Sequence, residues 1–213
     1  MKKQYRYLIV MIAVLCCLFS AQLTAHAATF KLPDSGQTKC YEAVSPYGEI
    51  PCAGTGQDGA YSINPMSFTD NNDGTVTDNN TGLVWQKCSV GQNNDATCSG
   101  TATTHNWYQA SGTYDATNNA STQNVCGSLD LAGGGWRLPS REELMNILDY
   151  SIPLPGPTIQ QNWFPNTLAY GYMASTTFAG DTSKNWSLDL YDGFSYYGFK
   201  YNNKFVRCVR GAQ

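Results

Sequence analysis

The sequence has 213 residues and a formal net charge of −3; 14% of its residues are charged and 13% are aromatic. This length corresponds to one domain that can bury a sizeable core. The sparse, slightly acidic charge argues against nucleic acid and against an anionic membrane surface as partners, because both attract clustered basic residues.

The first 27 residues have the features of a secretory signal peptide. A short basic segment precedes an apolar stretch over residues 8–19, and Ala25-His26-Ala27 fits a cleavage site. The sequence therefore predicts an exported protein, periplasmic, secreted or at the cell surface. Cleavage would remove three cations and change the net charge to −6. No later stretch is long and apolar enough to predict a membrane span.

Residues 28–65 form a leader rich in proline and glycine, and we expect a loop-rich segment there. The main domain is predicted over residues 66–213. It begins with short strands up to Gln86, separated by a turn at Asn72-Asp73-Gly74. A polar loop follows, and then a short helix is predicted over residues 107–115.

The run GGGWRLPSREEL, residues 133–144, predicts the best-defined helix. Ser140 is placed to cap it, and Glu143 follows at the spacing of a capping box. Apolar residues at helical spacing predict that this helix continues to Tyr150. Residues 172–209 alternate apolar and polar side chains and predict an antiparallel sheet. Few helices among many short strands indicate an α+β fold. We expect the five tryptophans to pack in the core: Trp85, Trp107, Trp136, Trp163 and Trp186.

Six cysteines remain after the predicted cleavage: Cys40, Cys52, Cys88, Cys98, Cys126 and Cys208. An even number in an exported chain indicates disulfides, although the sequence alone allows 15 pairings. Proximity suggests Cys40–Cys52 and Cys88–Cys98, which leaves Cys126–Cys208 as a long staple. A metal–thiolate site is the weaker interpretation, because the chain has no CxxC pair.

Four motifs in this order resemble one known family: FTDNNDGTVTDNNTGLVWQKC, GGGWRLPSREEL, the W-x-L-x-L-x-x-G pattern from Trp186 to Gly193, and VRCVR. They are similar to the C-terminal domain of the Legionella collagen-like adhesin, long catalogued as a domain of unknown function. The order of features also resembles a C-type-lectin-like fold, in which an early helix carries a cysteine that pairs with one in the last strand, and a second helix follows. Cys126, Cys208 and residues 141–150 would fill those places. The resemblance implies two short helices, small antiparallel sheets and long loops, stapled by disulfides. It also implies a glycosaminoglycan or another polysaccharide as ligand, although the net charge of −6 argues against carrying over a preference for sulfated glycans.

Two kinds of chemical site have weak support. Asp70, Asp73 and Asp78 are calcium candidates, because hard cations take oxygen ligands, but hairpin turns favour the same residue types. The run does not fit an EF-hand loop, so we predict no metal and no cofactor. Glu142 and Glu143 are adjacent on a helix and face different directions. With no GxSxG motif either, the sequence predicts no enzyme.

The segment YDGFSYYGFKYNN, residues 191–203, is the best candidate for ligand binding. Tyrosine offers rigid contact area with a polar tip, while Ser, Asn and Gly offer adaptable hydrogen bonds. Alternate rings of a strand could equally fill the core. We predict that the binding residues are the more exposed members: Tyr191, Asp192, Tyr196, Tyr197 and Asn202.

The sequence as a whole predicts an exported, non-catalytic recognition or adhesion module. Its partner would be an extracellular glycan or a surface protein, contacted through an aromatic-rich C-terminal face. The alternative is a structural or assembly protein of the periplasm or envelope that binds a protein partner. The oligomeric state is left open, since the chain lacks a collagen-like Gly-X-Y repeat.

Overall fold

The computed structural model describes residues 30–119 and 123–211, so the predicted signal peptide lies outside the described residues. Within them the fold is mixed α+β, with two short helices among small sheets. The strands are β1 (Cys40–Tyr41), β2 (Glu49–Ile50), β3 (Phe68–Asp70), β4 (Thr75–Asp78), β5 (Val84–Gln86), β6 (Thr104–His105), β7 (Gly171–Thr177), β8 (Lys184–Asp189), β9 (Ser195–Phe199), β10 (Lys204–Phe205) and β11 (Val209–Arg210). The helices are α1 (Trp107–Ser111) and α2 (Arg141–Met145), and a 3-10 turn spans Asp58–Ala60. None of the helices in these ranges is long and apolar enough to cross a membrane.

A four-stranded antiparallel sheet has the order β11-β5-β4-β3. Its register places Trp85 opposite both Val76 and Val209, and all three side chains are fully buried. The predicted turn between β3 and β4 is confirmed: Asn72 and Gly74 both have positive φ, a backbone conformation that asparagine and glycine adopt most readily.

A five-stranded sheet has the order β6-β10-β7-β8-β9. Strands β7, β8 and β9 are antiparallel as predicted, but β10 runs parallel to β7, with Phe205 opposite Tyr172. The prediction that the closing residues extend this one antiparallel sheet is therefore wrong. The chain leaves it after Phe205 and joins the other sheet at Val209, so this segment links the two sheets.

Both helices are shorter than the hydrophobic pattern predicts. Helix α1 ends at Ser111 because Gly112 adopts a left-handed conformation with φ of 73°. Helix α2 has the predicted capping box, in which Ser140 and Glu143 each accept a backbone N–H of the other. It ends at Met145, after which the chain continues in tight turns to Tyr150. The buried side chains predicted for a longer helix are still buried, because these turns keep the same face inward: Leu144, Ile147 and Leu148.

Two hydrophobic clusters lie on opposite faces of the five-stranded sheet. The larger joins α2 and the four-stranded sheet to Tyr172 and Leu188; the smaller surrounds Met173 and the Cys126–Cys208 disulfide. Trp85 and Trp136 are buried, and the other three tryptophans are partly buried against these clusters, so the expected core role is confirmed. The disulfides are those that proximity suggests: Cys40–Cys52, Cys88–Cys98 and Cys126–Cys208.

The leader is held by the domain through backbone hydrogen bonds. Lys31 donates to the carbonyl of Asn80, and Tyr150 donates to the carbonyl of Ser35. Gly36 approaches Asp149 so closely that an added Cβ would lie 2.4 Å from its carboxylate oxygen. Within residues 30–65 the leader contributes only β1, β2 and the 3-10 turn, so its order depends on these contacts and on the Cys40–Cys52 bond.

Candidate functional site

Strands β8 and β9 present a row of aromatic rings on one face of the five-stranded sheet. Trp186 lies opposite Tyr197, and Lys184 lies opposite Phe199. Because side chains two residues apart share a face, these four lie on the same surface. We call this surface the aromatic strip; with the rings that stack on it, its members are Phe178, Lys184, Trp186, Tyr197, Phe199 and Tyr201.

Stacking orders the rings of the aromatic strip. Phe178 stacks on Tyr197 with 4.1 Å between ring centroids and 4° between planes. Trp186 meets both rings edge-on, at 5.5 and 5.6 Å. Phe199 and Tyr201 form a second stacked pair at 5.0 Å. Tyr197 is nevertheless 49% exposed, Phe199 39% and Tyr201 54%, so the strip is both rigid and accessible.

Two cations lie on the aromatic strip. The guanidinium of Arg141 lies 4.4 Å from the centre of the Trp186 ring, and its Nε donates to the hydroxyl of Ser195. Lys184 Nζ lies 4.9 Å from the centre of the Phe199 ring and forms an ion pair with Asp181 at 3.1 Å. The hydroxyl and backbone N–H of Ser183, together with Lys184, lower the pKa of Asp181. The strip therefore combines apolar rings with held cationic groups, a surface able to pack against sugar faces and to bond their oxygens.

The structure separates the predicted binding residues. Tyr196 and Tyr197 are neighbours on β9 and point to opposite faces, so Tyr196 does not belong to the aromatic strip. Its ring lies under Lys204, 4.8 Å from Nζ. Tyr191 and Asp192 lie in the turn before β9, and Asn202 lies in the turn after it. Tyr191, Tyr197 and Asn202 are exposed, while Asp192 and Tyr196 are half-buried.

The strip includes side chains that sequence reasoning did not select. Lys184 and Trp186 alternate with polar residues on β8, and an Asp-Gly turn leads into β9; this hairpin pattern could have indicated that they share a face with Tyr197. Arg141 gave no signal in the sequence, because it comes from α2, which only the tertiary fold places over β8.

The three aspartates predicted as calcium candidates each bind a different partner within the chain. Asp70 forms an ion pair with Lys87 at 2.6 Å, and hydrogen bonds from Lys87 lower its pKa. Asp73 accepts from the backbone and hydroxyl of Thr75, as a turn residue does. Asp78 is buried and accepts from Asn80 and Thr81. Across residues 30–119 and 123–211, no group of three or more His, Cys, Asp or Glu side chains is arranged to hold a metal ion.

The central motif has a scaffold role. Both nitrogens at the end of the Arg137 guanidinium donate to the carboxylate of Glu143, at 2.6 and 2.7 Å. Burial raises the pKa of Glu143, but hydrogen bonds from Arg137 and from the backbone of Ser140 outweigh it, so the net pKa is lowered. Glu143 is thus held as a carboxylate that fixes the start of α2.

A polar cavity of about 390 Å³ lies between the leader and the domain. Its wall includes Asp34 and Gln37 from the leader, with Asp149 and Gln160 from the domain. The Asp149 carboxylate already accepts from Ser151 and Gln160. These two bonds lie within the domain and fix the Asp149 carboxylate at the place where Gly36 of the leader packs against it.

Residues 74–210 match the family model of the Lcl C-terminal domain. This chain belongs to the Lcl C-terminal domain family. The matched part runs from β4 to β11, so it contains the whole aromatic strip and the Cys126–Cys208 staple of this Lcl domain. The leader and β3 lie outside the match. No curated protein matches the chain in a sequence comparison.

Proposed function

We propose that this protein is an exported, non-catalytic recognition or adhesion module that binds extracellular polysaccharide at the aromatic strip. Its domain family takes its name from the collagen-like adhesin, which supports a role in adhesion or recognition. The observation that carries the proposal is the group of exposed rings on and directly after β9, Tyr197, Phe199 and Tyr201, which stacking holds in place before any ligand arrives. Rings that are already ordered lose little conformational entropy on binding, so more of the contact energy becomes affinity.

The two cations of the aromatic strip support binding through hydrogen bonds to sugar oxygens, and not through charge attraction alone. Lys184 is already paired with Asp181, and Arg141 already bonds Ser195. The proposal therefore does not include a preference for sulfated glycans. Neutral or weakly charged chains, which offer both C–H faces and hydroxyl groups, fit this surface.

The non-catalytic part of the proposal is supported by the hydrogen bonds of Glu143, the carboxylate at the start of α2. Glu143 is bound by Arg137 and Ser140 and holds the helix start, which leaves it unsuited to proton transfer. The partly exposed acid beside the strip, Asp181, is paired with Lys184.

We also propose that the fold is C-type-lectin-like. In support, α1 precedes α2, and a disulfide joins Cys126 to Cys208, next to the last strand. Cys126 lies in turns after α1, whereas the resemblance implied that the helix itself carries it. The three disulfides support a location in an oxidising compartment, periplasmic or extracellular.

The test is a glycan array probed with the exported, oxidised protein and with two single variants. Tyr197→Ala removes a ring of the strip, and Tyr196→Ala removes the same side chain one residue away on the opposite face. We expect Tyr197→Ala to weaken binding about tenfold, since an aromatic contact contributes on the order of 1 kcal/mol beyond its buried area. Tyr196→Ala should bind as the unmodified protein does.

Matched sulfated and desulfated glycans, with and without a chelator, complete the array. Equal binding to the matched pair agrees with the proposal, and binding that needs sulfate contradicts its ligand class. If the folded protein binds no glycan, or if both tyrosine variants bind unchanged, the aromatic strip is not a sugar site. The alternative, a protein partner in the periplasm or envelope, would then be tested by affinity capture with Tyr197→Ala as the control.

A further inference from the structure

Among the arginines in the described part of the chain, Arg141 alone has two terminal nitrogens without a hydrogen-bond partner. Arg137 donates from both of its terminal nitrogens to a carboxylate, Arg207 donates to four oxygen atoms of the core, and Arg210 donates to a backbone carbonyl. Arg141 also forms no ion pair within this part of the chain. Its terminal nitrogens are not among the buried polar atoms that lack a partner, so both are open to solvent.

The rest of Arg141 is held in place by three contacts. Its backbone N–H donates to the hydroxyl of Thr176 on β7 at 3.0 Å, and its Nε donates to the hydroxyl of Ser195 on β9 at 2.9 Å. The guanidinium lies 4.4 Å from the centre of the Trp186 ring. These contacts fix where the two free nitrogens lie, so a ligand that binds them does not have to order the side chain first.

A guanidinium with a free end is suited to a carboxylate. Its terminal N–H groups are coplanar and meet both carboxylate oxygens in parallel, whereas a sugar hydroxyl offers a single oxygen. Because Ser195 already occupies Nε, the edge formed by the two terminal nitrogens is the one left for such a pair. The other cation of the aromatic strip, Lys184, is paired with Asp181. One open cation matches one carboxylate on a sugar unit better than it matches a chain densely covered with sulfate.

The free end of Arg141 lies beside the exposed rings of the aromatic strip. The Trp186 ring under the guanidinium meets the Tyr197 ring edge-on, with 5.6 Å between the ring centres. Ser195, which holds Nε, is two residues from Tyr197 on β9, so the two side chains share a face. A sugar that contacts Tyr197 can therefore present a substituent to Arg141 without leaving the strip.

We infer, on the basis of the proposed polysaccharide function, that the sugar bound at Tyr197 carries a carboxylate, which Arg141 holds through both terminal nitrogens. The ligand class is an acidic glycan without sulfate, whose carboxylate belongs to a uronic acid or to a sialic acid. Trp186 and Ser195 position the guanidinium, and Tyr197 provides the apolar contact with the sugar. Arg141 thus distinguishes acidic from neutral chains, and the rings bind both.

Pairs of glycans that differ at the carboxyl group alone test this inference. Polygalacturonate and polysialic acid supply the two sources of carboxylate, and their carboxyl-reduced forms carry a hydroxyl group in its place. The oxidised, exported protein should bind at least one acidic polymer roughly 10- to 100-fold more tightly than its reduced form, because hydrogen bonds to a charged group are strong. The polymer that shows this preference identifies the source of the carboxylate. Equal binding of both acidic polymers and their reduced forms would overturn the inference.

Arg141→Lys is the matched variant, because lysine keeps the charge but lacks the planar fork of donors. This variant should lose the preference for the acidic polymer and bind the reduced form as the unmodified protein does. Its near-ultraviolet circular dichroism should be unchanged, since the ring stacks remain. An Arg141→Lys variant that keeps the full preference, or that binds neither form, would contradict the role assigned to Arg141.

Tyr197→Ala separates this inference from the polysaccharide proposal. It should weaken binding to the acidic and reduced forms by the same factor, because it removes a ring and leaves the guanidinium. Binding that depends on Tyr197 but shows no preference for the carboxylate would remove the inference and leave the polysaccharide proposal standing. A folded protein that binds none of these polymers and no other glycan would refute the polysaccharide proposal, and the inference with it.

Discussion

Replacing Glu143 with glutamine separates the two tasks of this side chain. Glu143 accepts from the backbone of Ser140 at 2.7 Å and from both terminal nitrogens of Arg137. Glutamine can still complete the capping box, but it cannot form the ion pair. Alanine loses both, so the two variants together assign a free energy to each contact.

The expected loss of stability follows from how far the two side chains of this ion pair are exposed to solvent. The side chain of Glu143 is 19% exposed and that of Arg137 is 48% exposed, so solvent weakens their attraction. We expect Glu143→Gln to lower the free energy of unfolding by about 1 kcal/mol at neutral pH. Glu143→Ala should lower it by about 2 kcal/mol, because a lost cap costs about 1 kcal/mol more. For a chain of this size, 1 kcal/mol corresponds to a shift in Tm of roughly 2–4 °C.

The pH dependence of the free energy of unfolding gives a second measure of the ion pair. The folded pKa of Glu143 lies below the ordinary value of 4.5, so its carboxylate stabilises the fold above that value. As the pH falls through the lowered pKa, this contribution disappears. The difference between the unmodified protein and Glu143→Gln should therefore be full at neutral pH and vanish in acid.

Urea unfolding of the oxidised protein at several pH values measures these differences, with Glu142→Gln as control. Glu142 is the exposed neighbour on the same helix, and its replacement makes the same change in charge. If Glu143→Gln and Glu142→Gln have equal stability at neutral pH, or if the Glu143→Gln difference persists in acid, the ion pair does not stabilise the fold as argued.

Two further stability predictions concern the leader and the buried arginine. Gly36→Ala should loosen the leader and increase its cleavage by protease, because the new Cβ would meet the carboxylate of Asp149. The control is Gly54→Ala, which has a similar φ but nothing within 4 Å and should cause only the strain of a positive φ. Equal protease cleavage of the two variants would contradict this role of Asp149. Arg207→Met should lower the free energy of unfolding by about 3 kcal/mol in urea titrations, because the fully buried guanidinium donates to two backbone carbonyls and two hydroxyls. An Arg207→Met variant as stable as the unmodified protein would show that these acceptors find other donors.

Local signals in the sequence predicted the local structures well. The Ser140–Glu143 capping box and the Asn72–Gly74 turn depend on residues a few positions apart, and both are present. Helix length was predicted less well. The apolar spacing up to Leu148 is the same for a helix and for the tight turns that follow Met145, so the burial pattern could not distinguish them.

The candidate site was predicted only in part, for a reason that lies in strand geometry. The sequence indicated the aromatic segment after Tyr191, but adjacent residues of a strand point to opposite faces, and Tyr196 and Tyr197 were selected together. Choosing between the two faces requires knowing what packs behind each one. The fold provides that answer, since Phe178 and Trp186 pack beside Tyr197 while Lys204 lies over Tyr196.

What the sequence determined by itself was the class of protein: an α+β, disulfide-stapled domain with the motifs of the Lcl C-terminal family. Composition, spacing and motif order are properties of the chain, so they could be read without coordinates. Only the tertiary structure decided that β10 and β11 belong to different sheets and that Arg141 lies over Trp186. Those contacts join residues far apart in the chain, and they form because burying both faces of the five-stranded sheet brings the two sheets and α2 together.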